Sequence, residues 1–170
     1  RTRAARRARL SDVLPPLMEG TILDAIEQGD HDKAAGLLKD ADLGLCLVRA
    51  CRFGQLECVR LLLAARANIN TYEIDGCTPL HACMIDGHSD CVQLLLTARA
   101  AIDQPDNDGL TPLYAVCAYG HSECTQLLIA ARAAIDQPAN NGVTPLYAAC
   151  RYGHGECTQL LLAARAAIDQ

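Results

Sequence analysis

The sequence contains no tryptophan, one phenylalanine and only 4% aromatic residues. A core cannot be built around large rings here. The 51% of residues that are apolar must fill it as Leu, Ala, Ile, Val and Cys, which suits thin helical layers packed closely together. No apolar run approaches the roughly 20 residues of a membrane-spanning helix, so membrane insertion is not expected. Nor does a charged start, apolar middle and small-residue cleavage site mark a signal peptide. The G-x-S-x-G elbow, the P-loop, H-E-x-x-H and the Gly-rich dinucleotide fingerprint are missing too. Neither catalysis nor a cofactor or small-molecule substrate is expected of this chain.

Positive charge is scarce outside one segment. The first nine residues hold five arginines and no acid, whereas the remainder carries ten basic and twenty acidic side chains. An acidic body repels phosphate backbones, so nucleic-acid binding by the folded part is not expected. Residues 1–19 read as a basic arm. A disordered linker and a targeting or acidic-surface segment both fit its start.

What the chain has in quantity is repetition. Thr78-Pro79-Leu80-His81, Thr111-Pro112-Leu113-Tyr114 and Thr144-Pro145-Leu146-Tyr147 recur every 33 residues, as do Gly54, Gly87, Gly120 and Gly153, and Cys58, Cys91, Cys124 and Cys157. Residues 111–137 and 144–170 differ at four of 27 positions. Each unit reads as helix, turn, helix, loop. Thr at the N-cap can accept a hydrogen bond from a free amide of the first turn, and Pro fits the first helical position because it has no N–H to satisfy. A short helix follows, for example Pro112 to Ala118, until Gly120 breaks it. The second helix carries Cys124, Leu127, Leu128 and Ala131 at i, i+3, i+4 and i+7, a stripe expected to be buried. An Ala-Ile-Asp-Gln-Pro stretch then leads into a turn such as Asn107-Asp108-Gly109. One unit cannot bury both faces of its helices, whereas stacked units can.

This combination resembles the ankyrin-repeat family. The family's T-P-L-H-x-A signature is matched by Thr78-Pro79-Leu80-His81-Ala82-Cys83, with Cys in place of Ala, and Tyr114 and Tyr147 replace the His in later units. Its G-H pair is matched by Gly87-His88, Gly120-His121 and Gly153-His154. The resemblance covers roughly residues 20–170 and implies an all-α solenoid of stacked helix-turn-helix units with hairpin-like finger loops. The expected division is a basic arm at 1–19, a shortened capping helix pair at 20–43, and units at 44–76, 77–109, 110–142 and 143–170. Ile22, Ala25, Gly29 and Asp32 match the register of Leu47, Ala50, Gly54 and Glu57 with a step of 25, which suggests the cap. No polar cap closes the other end, so the chain is expected to be a segment of a longer array whose last helices fray.

Family members place Gly after the second helix, where the backbone turns left-handed. Here the position holds Arg66, Arg99, Arg132 and Arg165. Either arginine adopts that conformation at a cost of about 1 kcal/mol, partly offset by the helix dipole, or the helices end with a different turn. Local structure explains these arginines better than a ladder for anionic partners. Ten cysteines and spacings such as Cys117-x3-His121-x2-Cys124 and Cys150-x3-His154-x2-Cys157 raise zinc and disulfides as alternatives. Reduced core thiols are favoured. Cys51, Cys117 and Cys150 sit where the family puts a small buried Ala in the first helix, the Cys58 series sits at an apolar position of the second, and the resemblance assigns each His after Gly to the family's turn pattern. No metal site is therefore expected, and a reducing intracellular compartment, cytoplasmic or nuclear, follows from free thiols.

In ankyrin proteins the partner lies against the loop tips and the exposed ends of the first helices. Carried over by position, the helix ends are Arg52 and Phe53, Ile85 and Asp86, Ala118 and Tyr119, Arg151 and Tyr152. The residues before the TPL motif are Cys77, Leu110 and Val143. The loop tips contribute Ile74 and Asp75, Asn107 and Asp108, Asn140 and Asn141, beside Glu73, Asp106 and Ala139. Phe53, Tyr119 and Tyr152 share one projected line, with Arg52 and Arg151 adjacent, and Tyr and Arg are enriched at interface hot spots. Covering the helix ends is the alternative role for those rings. The expected function is a monomeric scaffold that binds another protein. A regulatory or targeting module of a larger protein and a structural spacer are the alternatives.

Overall fold

The threonine of each T-P-L motif caps a helix, as its side chain and the following proline dictate. The backbone amides of His81, Tyr114 and Tyr147 donate to the hydroxyls of Thr78, Thr111 and Thr144 at 3.4, 3.2 and 3.3 Å. The computed structural model describes residues 43–168, with side chains to residue 165. The basic arm, the expected capping pair before Leu43 and Asp169 lie outside the described residues. Among the described residues, eight helices make four pairs: α1 (Leu43–Arg52) and α2 (Leu56–Ala64), α3 (Pro79–Ile85) and α4 (Ser89–Thr97), α5 (Pro112–Tyr119) and α6 (Ser122–Ala130), α7 (Pro145–Tyr152) and α8 (Gly155–Ile168). The first helices α1, α3, α5 and α7 pack in sequence as one layer, and the second helices form the other. The first-helix layer is the more closely packed, which bends such a stack toward it.

The leucines of the repeat are the core. Leu47, Leu80 and Leu113 are fully buried between successive first helices, and Leu62, Leu95, Leu128 and Leu161 do the same in the second layer. Each such burial stabilises by about 1.5–3 kcal/mol. Cys58, Cys91, Cys124 and Cys157 are buried as small hydrophobes beside them. Two expectations fail. Ala131 is exposed, because α6 ends at Ala130 and the chain has left the stripe. Thr125 fills the buried position instead, and its hydroxyl satisfies itself on the carbonyl of His121 at 3.0 Å. Cys150 is exposed where Cys51 and Cys117 are buried. Helices of a following unit cover Cys117, and no described residue plays that part for Cys150.

Both helices of a unit end in the same kind of turn, with opposite side-chain demands. After the first helix, the amides of Gln55, His88, His121 and His154 reach back five residues to the carbonyls of Ala50, Cys83, Val116 and Ala149. The residue before each is a left-handed glycine. After the second helix, Ala67, Ala100 and Ala133 reach back to Leu62, Leu95 and Leu128 at 2.9–3.0 Å, and the left-handed residue is Arg66, Arg99 or Arg132, with φ of 62, 64 and 66°. These are Schellman turns, so arginine does adopt the strained conformation. Arg165 does not: α8 continues to Ile168, and the Arg165 guanidinium lies 3.7 Å from Asp136. In earlier units the corresponding carboxamide or carboxylate, Asn70 or Asp103, accepts the amide of Ala101 or Ala134 from the next unit at 2.8 and 2.9 Å. Asp136 receives a side chain in place of that amide.

Space explains why one turn requires glycine. A Cβ on Gly54 or Gly87 would lie 2.5 Å from the ring of His88 or His121, and one on Gly120 would lie closer still to His154. Each imidazole belongs to the next unit and donates through Nε2 to a helix-end carbonyl: His88 to Arg52, His121 to Ile85 and His154 to Ala118, at 3.0–3.1 Å. Arg66, Arg99 and Arg132 are exposed and meet no such neighbour. Gly120→Ala is therefore expected to destabilise by about 1–3 kcal/mol more than Gly153→Ala, whose Cβ meets nothing within 4 Å. Denaturant midpoints at constant m-value test this. By the same measurement Arg99→Gly should exceed Arg99→Ala in stability by about 1 kcal/mol, since both remove the charge and only glycine relieves the strain.

Candidate functional site

Each finger loop is a small hairpin closed by backbone bonds. Glu73 donates to Cys77, Asp106 to Leu110 and Ala139 to Val143 at 2.9–3.0 Å, around turns ending in Gly76, Gly109 and Gly142. Side-chain oxygens brace the turns: Asp75 accepts the Cys77 amide, Asp106 those of Asp108 and Leu110, and Asn141 that of Val143. Successive tips are joined. The Asn107 amide donates to the Asp75 carbonyl and its side chain to that of Ile74, and Asn140 repeats this on Asp108 and Asn107. Side chains on Gly76 or Gly109 would strike that backbone at 2.7 Å.

Between these loops and the first helices lies a groove of about 550 Å³. Its loop wall contains Asp75, Cys77, Asp106 and Leu110, and its helix wall contains Ile85, Ala118, Tyr119 and Tyr152. The sequence did not single out His81, Tyr114 or Ala115 as site residues, and these line it as well. The 33-residue step places them there, since Tyr114 and His81 hold one register. Tyr119 and Tyr152 remain 52% and 56% exposed, so neither is consumed by packing. Phe53 is equally exposed but lies outside the groove lining.

The remaining expected residues are placed as follows. Arg52 is ion-paired with Glu73. Ile74 is wholly exposed at its tip. The Asp86 carboxylate lies 4.0 Å from His88 Nε2. Asn107 and Asn140 spend their amide groups on the preceding loop, and Asn141 braces its own. Asp108 is exposed and lends its carbonyl to Asn140, and Val143 is half-buried in its hairpin. Arg151 is exposed and lies beside the hydroxyls of Tyr147 and Tyr152.

His81, in the first turn of α3, contributes an imidazole to the groove lining. Its Nδ1 accepts from the Thr78 amide and faces the Thr78 hydroxyl at 2.8 Å, so Nε2 carries the proton and donates to the Leu110 carbonyl at 2.9 Å. Burial pulls its pKa down, against the opposing pull of the Leu110 bond, Asp106 and Asp75. It is neutral near pH 7. Where Tyr114 and Tyr147 replace it, this bond to the next loop is given up and a phenol is gained. Burial also raises the Tyr114 phenol, reinforced by Tyr152 and opposed by Arg151.

Burial raises several of the thiols. Burial pushes Cys117 up to about 12 and Cys124 to about 11. Cys83 lies beside Cys51 and Cys91, a grouping that sequence spacing concealed, and burial raises it too. His121 and His154, the candidate ligands of the Cys-x3-His-x2-Cys spacing, instead hold the carbonyls of Ile85 and Ala118. Among the described residues, Glu73, Asp75 and Cys77 offer potential ligand atoms within 4.8 Å of one another. Arg52 sits there, paired with Glu73 and 4.0 Å from the Cys77 sulfur, and supplies the countercharge a cation would bring.

A family model described as ankyrin repeats in three copies matches residues 22–106 and 82–170. The chain belongs to the ankyrin-repeat family. Ankyrin repeats are generally protein–protein interaction modules, and the family is typically non-enzymatic. Comparison with curated proteins gives no match. No described helix is long and apolar enough to cross a membrane.

Thiol reactivity checks the burial pattern. Cys150 should be modified first in the native protein and the eight buried cysteines only on unfolding. In a Cys150→Ser variant, the half-buried Cys77 should alkylate slowly at neutral pH. Burial foremost, reinforced by Asp75, raises its pKa to about 11. Its rate should therefore climb about tenfold per pH unit well beyond the ordinary thiol range near 8.5.

Proposed function

We propose that the groove between the finger loops and the first helices is where this protein binds another protein. The observation that carries the reading is the pair Tyr119 and Tyr152, both half-exposed on one groove wall and unused by the core. Large rings left open beside a polar rim are the usual anchors of an interface. The acidic, aromatic wall suits a protein partner better than a phosphate-bearing one. The chain serves as a scaffold, or as the recognition module of a larger assembly.

Tyr119→Ala combined with Tyr152→Ala should weaken retention of bound proteins in affinity capture by about tenfold or more. Helicity should be unchanged and the melting temperature nearly so. Gln126→Ala with Gln159→Ala, on a separate groove of about 490 Å³ between second helices, should leave capture intact. A large loss of stability in the tyrosine variant would assign those rings to structure instead.

A further inference from the structure

Of the two carboxylates in the groove, Asp75 lies within 4.8 Å of Glu73 and Cys77, where Arg52 supplies the countercharge, whereas Asp106 has no ion pair among the described residues. Asp75 and Asp106 line it, and its lining contains no lysine or arginine. The ion pairs among the described residues join Arg52 to Glu73, His88 to Asp86 and Arg165 to Asp136, and include neither aspartate. Each uses Oδ1 on the amides of its own turn, so Oδ2 is free to accept from a ligand. His81, the one ionisable base in the lining, is held neutral by its burial, against the pull of the Leu110 bond. Arg151 stands outside the lining, beside Tyr147 and Tyr152. The lining also holds three tyrosines, Tyr114, Tyr119 and Tyr152, the last two on the helix wall. Acid on one wall and ring on the other is a setting for a cation with a flat face.

We infer that the groove selects a partner segment bearing arginine, whose guanidinium pairs with Asp75 and Asp106 and stacks on the facing tyrosines. The inference rests on the groove being the binding face. Arginine fits better than lysine for geometric reasons. A planar guanidinium can bond carboxylates through several N–H groups while its face lies on a ring, and it is more weakly hydrated than an ammonium. An acidic segment would meet like charge at Asp106, and a purely apolar one would leave that carboxylate desolvated without a partner.

The test uses the full chain, fluorescently labelled, on arrays of otherwise randomised decapeptides with one central residue fixed as Arg, Lys, Leu or Glu. The Arg-fixed pool should be retained about tenfold above the Leu-fixed and Glu-fixed pools, and also above the Lys-fixed pool. Asp75→Asn with Asp106→Asn should erase that preference. Those variants keep their fold, because an amide oxygen can accept the same turn bonds, as Asn141 already does from Val143. An unchanged melting temperature verifies it. Equal retention of the Arg and Leu pools, a preference that survives the double Asn variant, or no retention of any pool overturns the inference. If wild type retains all pools alike and Tyr119→Ala with Tyr152→Ala loses them all, the groove stands as the binding face and only the arginine preference falls.

Discussion

The stack depends on an imidazole laid over a left-handed glycine. His88, His121 and His154 each cross from one unit to the end of the preceding first helix and donate to a carbonyl that the helix itself leaves unpaired. The bond works only if nothing projects from the residue beneath, which is why Gly54, Gly87 and Gly120 stand there. Two further ladders run parallel to it. Asn70 and Asp103 take amides from the next unit, and Asn107 and Asn140 clasp the loop before them. Buried leucines supply most of the driving force, but they are indifferent to direction. The polar ladders fix the spacing and orientation at which the leucines meet.

The groove is a consequence of that arrangement. Loop tips tied together and helix ends held by histidine make two rigid walls, and side chains in the remaining positions are free to vary. The exchange of His81 for Tyr114 shows how variation works within such a frame. Histidine spends both ring nitrogens on structure, one on its own cap and one on the next loop. Tyrosine keeps only the cap made by Thr111 and offers its ring to the groove. One inter-unit bond, a net contribution of about 1 kcal/mol, is exchanged for aromatic surface where a partner could rest.

The sequence was most legible where a residue's local chemistry and its long-range role agree. Thr-Pro marks a helix start through its own hydroxyl and ring, so Pro79, Pro112 and Pro145 begin helices as read. The glycine-histidine pair was visible as a turn, yet the step from His88 to the carbonyl of Arg52 spans 36 residues and leaves no local trace. Periodicity misplaced Ala131 because a 3.6-residue stripe carries no information about where its helix stops. The family position misjudged Cys150 because burial in a stack depends on the neighbouring unit rather than on the residue. The groove followed the projected line for Tyr119 and Tyr152 but not for Phe53. That the Asn107 and Asn140 side chains bond the preceding loop was not legible either, since each bond spans 33 residues.

The ladders also bear on how such a chain can lengthen. The histidine and asparagine ladders each recur at a fixed distance along the chain, so a duplicated block of 33 residues brings those donors and acceptors in register. The copy fits its parent without any new interface. Units three and four, nearly identical in sequence, have the form such copying leaves behind. Substitution at Ala118 and Arg151 then distinguishes the copies at the groove edge while the joints between them stay the same.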